Sequence, residues 1–391
     1  MCERKENTHR LRLSPGDVIF IFMLKGPFSI LLSLLPTSPP NPLREAWIAS
    51  LLSLLLFLLF LEPPAAAPLD EPDLEDLSRA KAHHQNSRFI NPWPGGNQVA
   101  SFWKLLKWIL GPNPYASAKR HPPQFSVVRP PVREILRQGD SITYLGHATF
   151  WIRLQGKDIL TDPVFGTTWP LFSRHVPFPL SPGELPNLQV VLISHSHYDH
   201  LDKESLRRLG TRPLYLTPLG YKDWFSENLP GSSVRELDWF EEFTHEGTSF
   251  CLLPAQHWTK RTPCDTNRRL WGSWLIEGKG RKIFFSGDSG YFCGFREYGT
   301  KFGPLDAAIL PIGAYEPRWF MKGHHMNPQE AVRAFLDLRA QVFIPQQWGV
   351  FDLTSEPLDL PPSAFREAAI AAGLSEDRSP LLRHGETWFF P

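Results

Sequence analysis

Cysteine is scarce in this sequence, and charge of neither sign is in excess. The 391 residues include four cysteines, Cys2, Cys251, Cys264 and Cys293. They are too few and too scattered for a disulfide framework, and they lack the close pairing of a zinc ribbon. They read as ordinary thiols. Lysine and arginine number 41 against 40 aspartates and glutamates, a formal charge of +1. That balance implies neither a polyanionic partner nor an acidic tail. With no concentrated basic patch for a phosphate backbone, nucleic acid is not an expected partner. No segment repeats at a fixed period, so a repeat array is not expected. The length allows a substantial core in at most two domains.

What is abundant is proline and tryptophan. The 39 prolines crowd the N-terminal third and the connections between apolar runs, and 14 tryptophans exceed the needs of core filling. Tryptophan lines lipid-facing surfaces; an aromatic-rich core is the alternative. The first eighty residues have their own texture. Residues 46–61 (AWIASLLSLLLFLLFL) form an unbroken run of low polarity, a little shorter than the roughly 20 residues of a bilayer span. Glu62-Pro63-Pro64 and then Ala65-Ala66-Ala67 follow it, small residues of the kind a signal peptidase accepts. An earlier apolar stretch, 18–35, is broken by Lys25, Gly26 and Pro27. Residues 1–80 are therefore expected to be an export signal or short membrane anchor with a disordered linker (63–76), and 81–391 the main domain. A buried helix is the alternative for the apolar run. Residues 101–110 (SFWKLLKWIL) fit a helix at a membrane interface or a helix packed on the main domain.

From residue 141 onward the chain turns to short β-rich runs. Strands are expected at 141–154, 157–161, 190–194, 214–217, 249–254, 273–277, 282–286, 307–311 and 341–345. Helical patterns at 203–209 and 328–338 lie between them, the second with Asn327 as N-cap and Pro328 at the first helical position. This alternation suggests an α/β sandwich.

The chemistry is concentrated after the apolar run at 190–194. His195-Ser196-His197-Tyr198-Asp199-His200 packs three imidazoles and a carboxylate into six positions. His195 and His197, two apart, can share one ion, while Asp199 and His200 face a neighbouring one. Imidazole nitrogen and carboxylate oxygen suit zinc, iron or manganese. One loop cannot close two coordination spheres, so further ligands are expected at later strand ends. His257 follows the strand ending at 254, and Asp288 follows another, between Gly287 and Gly290.

The run H-x-H-x-D-H, then His257, then Gly287-Asp288, is similar to the metallo-β-lactamase superfamily. The surrounding words RFINPWP (88–94), YLGHAT (144–149), LTDP (160–163), LWGSW (270–274), PIGAYEPRWFMK (311–322) and HGE (384–386) resemble N-acyl-phosphatidylethanolamine-hydrolysing phospholipase D and its bacterial relatives over about residues 88–390. The resemblance implies an αββα four-layer sandwich with two zinc ions at one edge. His195, His197 and His257 would hold the first, Asp199 and His200 the second, and Asp288 would bridge them. Tyr198 and His325 would lie where family members contact the lipid headgroup, and Asp162 would orient a ligand histidine. One position departs from the pattern. Where the family carries a histidine in a His-Trp-Gly word, this chain has Gln347-Trp348-Gly349. A neutral amide oxygen is a poorer zinc ligand, so the second site is expected to be weaker, or to take manganese or iron(II). His324, beside His325, is the alternative imidazole for that position.

The implied activity is hydrolysis of an N-acyl-phosphatidylethanolamine-like phospholipid by a metal-bridged hydroxide, with Asp199, Asp288 and His325 as the catalytic groups. For His325 the alternative is an anchor for the loop before the Asn327-capped helix. A hydrolase of soluble esters, lactones or phosphodiesters is the rival enzyme, and a catalytically weakened lipid- or metal-binding homologue the rival from another class. A phospholipid, a membrane surface and a second copy of the chain are the expected partners. Membrane association, with export to the cell envelope through the apolar segment, is the expected location.

Overall fold

In the computed structural model of the chain, residues 73–97, 102–168 and 172–391 are described. The apolar run 46–61, and with it the expected signal or anchor, lies outside them. Among the described residues no helix is long and apolar enough to cross a membrane.

The N-terminal part of the described chain is α1 (Leu74–Arg79), the hairpin β1 (His84–Gln85) and β2 (Arg88–Phe89), then α2 (Phe102–Leu110) and α3 (Val132–Gln138). Two sheets follow. The first is built from β3 (Ser141–Gly146), β4 (Thr149–Leu154), β5 (Lys157–Thr161), β6 (Val190–Leu192), β7 (Leu214–Pro218) and β8 (Ser233–Leu237), with α4 (Lys203–Leu209) and α5 (Lys222–Asn228) in its crossovers. The second contains β9 (Glu242–His245), β10 (Thr248–Leu253), β11 (Ser273–Gly278), β12 (Arg281–Phe285), β13 (Leu305–Pro311) and β14 (Ala340–Gln346). Its crossovers carry α6 (Gly294–Lys301), α7 (Arg318–Met321) and α8 (Pro328–Asp337). The chain ends with α9 (Leu360–Ala371) and β15 (Thr387–Phe389), which returns to the first sheet. The strand orders are β15-β3-β4-β5-β6-β7-β8 and β14-β13-β12-β11-β10-β9.

Both sheets change from antiparallel to parallel pairing partway across, at β5–β6 in one and β12–β13 in the other. Parallel neighbours need a long crossover, which is why the helices sit where they do. Side-chain alternation divides the layers. On β4, Phe150, Ile152 and Leu154 join the cluster shared with Trp274, Ile276 and Phe284 of the second sheet. Trp151 points the other way, among Leu206 of α4, Phe225 of α5 and Ile135 of α3. Helices Pro328–Asp337 and Leu360–Ala371 contribute Ala331, Phe335, Phe365 and Ala368, with Phe335 and Phe365 both against Phe343 of β14. The result is the expected α/β sandwich of two sheets between helices. Asn327 caps α8, accepting from Glu330 N while the Glu330 carboxylate accepts from Asn327 N, with Pro328 in the first turn.

One boundary differs from expectation. Residues 73–80, placed above in the N-terminal segment and up to residue 76 in its linker, form α1 with its two caps on the main domain. The Asp73 carboxylate accepts from Glu75 and Asp76 N–H groups. Leu74 N–H donates to Glu297 of α6 (3.1 Å), and Ser78 Oγ donates to the Trp239 carbonyl (2.9 Å). The acids that looked like linker composition are a helix cap and its first turn. Helix α2 packs on the main domain too: Trp108 stacks on Phe320 at 5.3 Å and donates to Ser355 Oγ.

Buried Asp238 holds this N-terminal segment across more than 150 residues of sequence. Its carboxylate accepts from Lys81 (2.5 Å), His83 (2.7 Å), His84 (2.9 Å) and the Trp239 N–H (2.8 Å). Burial alone would raise its pKa, but the bonds from His83 and Lys81 override that and hold it well below the usual range. Its contribution is therefore complete above the ordinary carboxylate pKa of about 4 and is lost as pH falls below it. Asp238→Asn should cost about 2 kcal/mol in urea unfolding at neutral pH, and the difference from wild type should shrink in acid.

Candidate metal centre

The loop after β6 is fixed from behind by Asp162. Asp162 follows β5, has φ of 32°, and is fully buried. It accepts from Ser194 N (2.7 Å), Ser194 Oγ (2.5 Å) and His200 Nδ1 (2.7 Å), while Ser194 Oγ lies 2.9 Å from His195 Nδ1. Asp162 thus orients His200 directly and His195 through one hydroxyl, leaving each Nε2 facing the opposite way. Gly287 crosses this loop so closely that a Cβ there would meet Ser194 Cβ at 2.4 Å, and its φ is +57°. Only glycine fits.

Ahead of Asp162 the side chains expected from the sequence converge. His195 Nε2 and His257 Nε2 lie 3.0 and 3.2 Å from His197 Nδ1. Asp288 Oδ2 faces His195 Nε2 and His257 Nε2 at 3.8 and 3.9 Å, and its Oδ1 faces His200 Nε2 at 3.2 Å. Asp199 Oδ2 is 3.5 Å from His200 Nε2 and 3.0 Å from His147 Nε2. Ligand atoms about 2.0 to 2.1 Å from a tetrahedral ion lie roughly 3.3 Å from one another, so these separations are compatible with ligands of a common ion. His195, His197 and His257 could hold a metal ion together; so could His147, Asp199 and His200.

Segments from the family-like words support the cluster. Asn91, from the word at 88–94, donates to the His257 carbonyl (2.9 Å), and His257 Nδ1 faces the His324 carbonyl (3.1 Å). His324 therefore orients His257 through its backbone, while its own ring lies against Trp258 (6.0 Å). His384 packs on Trp348 at 4.6 Å, bracing the loop of Gln347. His325 is half-buried, with Nδ1 3.8 Å from Asp288 Oδ2, and Arg318 donates to its carbonyl (3.0 Å). Tyr198, half-buried, donates to the Arg261 carbonyl (2.9 Å) beneath the Arg261 guanidinium, 4.0 Å from the ring centre. Gln347 donates from Nε2 to Asp288 Oδ2 at 3.1 Å, and its buried Oε1 has no partner.

Two residues were not singled out from sequence. Arg261 clamps the histidine loop by donating to the Ser196 and Leu201 carbonyls, both at 2.8 Å; nothing in its sequence context signals that. His147 stands beside Asp199, and its signal was available: an imidazole directly after a strand.

Electrostatics divides the cluster. Burial lowers the pKa of His195, His197 (to about 4) and His257, leaving them neutral at pH 7, the form in which imidazole binds metal. His200 goes the other way. Burial would lower it, but Asp288 and Asp199 raise it well above its ordinary value. The two carboxylates are buried, which opposes ionisation, yet His200 holds both low.

The β-lactamase superfamily domain family matches residues 157–348. The chain is 40% identical over 266 residues to N-acyl-phosphatidylethanolamine-hydrolyzing phospholipase D 1 of Caenorhabditis elegans, covering 63% of this chain and 74% of that one. It is 31% identical over 326 residues to an uncharacterized protein of Mycobacterium tuberculosis, covering 78% of this chain and 84% of that one. Among solved structures it is similar to Igni18, a metallo hydrolase of Ignicoccus hospitalis, with 22% identity and a TM-score of 0.50 over 64% of this chain and 99% of that one, a likeness of fold. Fold and histidine cluster are those of a metal-dependent hydrolase. The chain belongs to the metallo-β-lactamase superfamily.

Asp162→Ala should lower metal affinity by about 10- to 100-fold, read by equilibrium dialysis, because His200 and Ser194 lose their common acceptor. Unchanged affinity would mean that Asp162 does not orient the cluster.

Proposed function

We propose that the chain hydrolyses N-acyl-phosphatidylethanolamine-like phospholipids as a phospholipase D-type phosphodiesterase. The observation that carries this is Asp288, whose two oxygens face different imidazole sets, His195 and His257 on one side and His200 on the other. A carboxylate so placed suits a pair of divalent ions. His195, His197 and His257 would hold the first, Asp199 and His200 the second, and Asp288 both. The nitrogen-rich first set favours zinc; the second, poorer in imidazole, also suits manganese or iron(II). The residues fit such ions: His200 Nε2 and Asp288 Oδ1 are buried and meet only as an ion pair at 3.2 Å, without a hydrogen bond of good geometry, an incomplete state that coordination would relieve.

Bound there, the ions would lower the pKa of a water and neutralise charge gathering on the phosphoryl oxygens. Asp288 accepts a hydrogen bond from the attacking water and aims it at phosphorus. The bond from phosphorus to the N-acylethanolamine oxygen breaks, leaving phosphatidic acid. Asp199 holds its side of the site, fixed by His147. His325, on the open side of Asp288, donates to the phosphate or to the leaving oxygen.

A lipid substrate is supported by the relative in Caenorhabditis elegans and by exposed apolar groups on α2 and α7, Trp103, Ile109, Leu110 and Trp319. Helix α7 leads into His325 by a three-residue connection, and Lys107 of α2 lies 4.8 Å over the Trp319 ring. Aromatic and basic groups together suit a headgroup layer, so a membrane surface is the proposed partner. Tyr198 would contact the headgroup. A second copy of the chain, and export to the cell envelope through residues 46–61, complete the proposal. Gln347 favours one second reading, a homologue that binds metal and lipid with weakened turnover.

The test is the purified full chain against N-acyl-phosphatidylethanolamine vesicles and a panel of soluble phosphodiesters, esters and lactones. The vesicle substrate should be preferred, and Asp288→Asn should lose at least about a thousandfold in rate. Preference for a soluble substrate, or full turnover by Asp288→Asn, would overturn the proposal.

A further inference from the structure

We infer that His147, rather than Gln347, completes the second metal site, giving it the donor set His147 Nε2, Asp199 Oδ2, His200 Nε2 and Asp288 Oδ1. The inference rests on the two-ion reading above and concerns which side chain serves the ion next to His200.

The distances define the set. His147 Nε2 is 3.0 Å from Asp199 Oδ2; His200 Nε2 is 3.5 Å from that oxygen and 3.2 Å from Asp288 Oδ1. His147, Asp199 and His200 offer ligand atoms that all lie within 4.8 Å of one another. Two of the four donor atoms, His200 Nε2 and Asp288 Oδ1, are buried and face each other as an ion pair at 3.2 Å, without a hydrogen bond of good geometry. Buried ligand atoms aimed together in this way, with their hydrogen bonding incomplete, suit a cation.

Gln347 points elsewhere. Its Nε2 donates to Asp288 Oδ2, the oxygen that faces His195 and His257. Turning the amide over would set a carbonyl oxygen against that carboxylate, so the N–H group is held toward it. An amide N–H is not a metal ligand, and the Gln347 Oε1, also buried and without a partner, is the end of the amide turned away from Asp288 Oδ2. The backbone places the two residues as alternatives. The Gln347 N–H donates to the His147 carbonyl at 2.9 Å, so both side chains leave the backbone at the same corner of the site.

His147 is also held at some cost. It has φ of +58° in the short turn between β3 and β4, and Gln347 has φ of +62°. Left-handed conformations are uncommon for either residue and persist where surrounding contacts impose them. Those contacts are present: the His147 ring packs edge-on against Phe351 at 5.0 Å and beside His200 at 5.1 Å. It is 2% exposed, so its Nε2 is aimed inward by a fixed wall. An imidazole whose work was only to steady Asp199 would be replaceable by another hydrogen-bond donor of similar reach. That difference supplies the test.

Metal-free full chain is titrated with cobalt(II), read by the visible d–d absorption and by equilibrium dialysis. Wild type should take up two equivalents. His147→Ala and His147→Gln should each keep the first equivalent and weaken the second by at least tenfold, with a changed spectrum for that ion. Gln347→Ala should keep both equivalents and the wild-type spectrum. If wild type binds one ion only, the two-ion reading fails. If wild type binds two and His147→Gln keeps the second with its spectrum intact, or if Gln347→Ala loses it, the two-ion reading stands and the role of His147 is overturned.

Discussion

The arrangement depends on one buried carboxylate behind the histidine loop. Asp162 takes up three donors, two from Ser194 and one from His200, within 2.7 Å. That leaves the loop little freedom, and the forward-facing nitrogens of His195 and His200 follow from it. A charged acceptor in a fully buried position is tolerable only when its lone pairs are used. Here they are, and what that fixes is the direction of two imidazoles, His195 and His200, that are only five residues apart on a tight loop.

The fold brings the other groups to the same edge by symmetry of construction. Each sheet begins as an antiparallel meander and ends in parallel strands with helical crossovers. The His195 loop leaves the parallel half of one sheet after β6, and Asp288 leaves the other sheet after β12. The Trp274 indole on β11 donates to the Ile193 carbonyl at 3.0 Å, tying one sheet to the loop of the other. Gly287 then lets the two strand ends touch. The close approach, not any long-range field, makes a shared site out of two separate sheets.

Much of this was legible in the sequence because buried parallel strands are written as plain apolar runs. Residues 157–161 and 307–311 lie within the observed β5 and β13, and His195, His197, Asp199, His200, His257 and Asp288 announce themselves by type and by position after such runs. The elements missed are those whose apolar signal is diluted. β8 and β9 are edge-proximal strands, SVREL and EFTH, that alternate exposed polar groups with half-buried ones. Helix α9 opens Leu-Pro-Pro, which reads as a turn until packing of Phe365 and Ala368 is known. Helix α1 was hidden by acidic composition. His147 lies within the family-like word YLGHAT, but its partner Asp199 is 52 residues away and no local spacing links them. Gln347 was seen as a departure; that its amide turns toward Asp288 is a fact of packing alone.

The central claim is that distant stretches of chain converge to grip two ions with Asp288 between them. The direct measurement is anomalous diffraction at the zinc edge from crystals grown with zinc. The account predicts two peaks about 3.5 to 4 Å apart, one against His195, His197 and His257, the other against Asp199 and His200, with an Asp288 oxygen bound to each. A single peak, or Asp288 turned away from both, would contradict it.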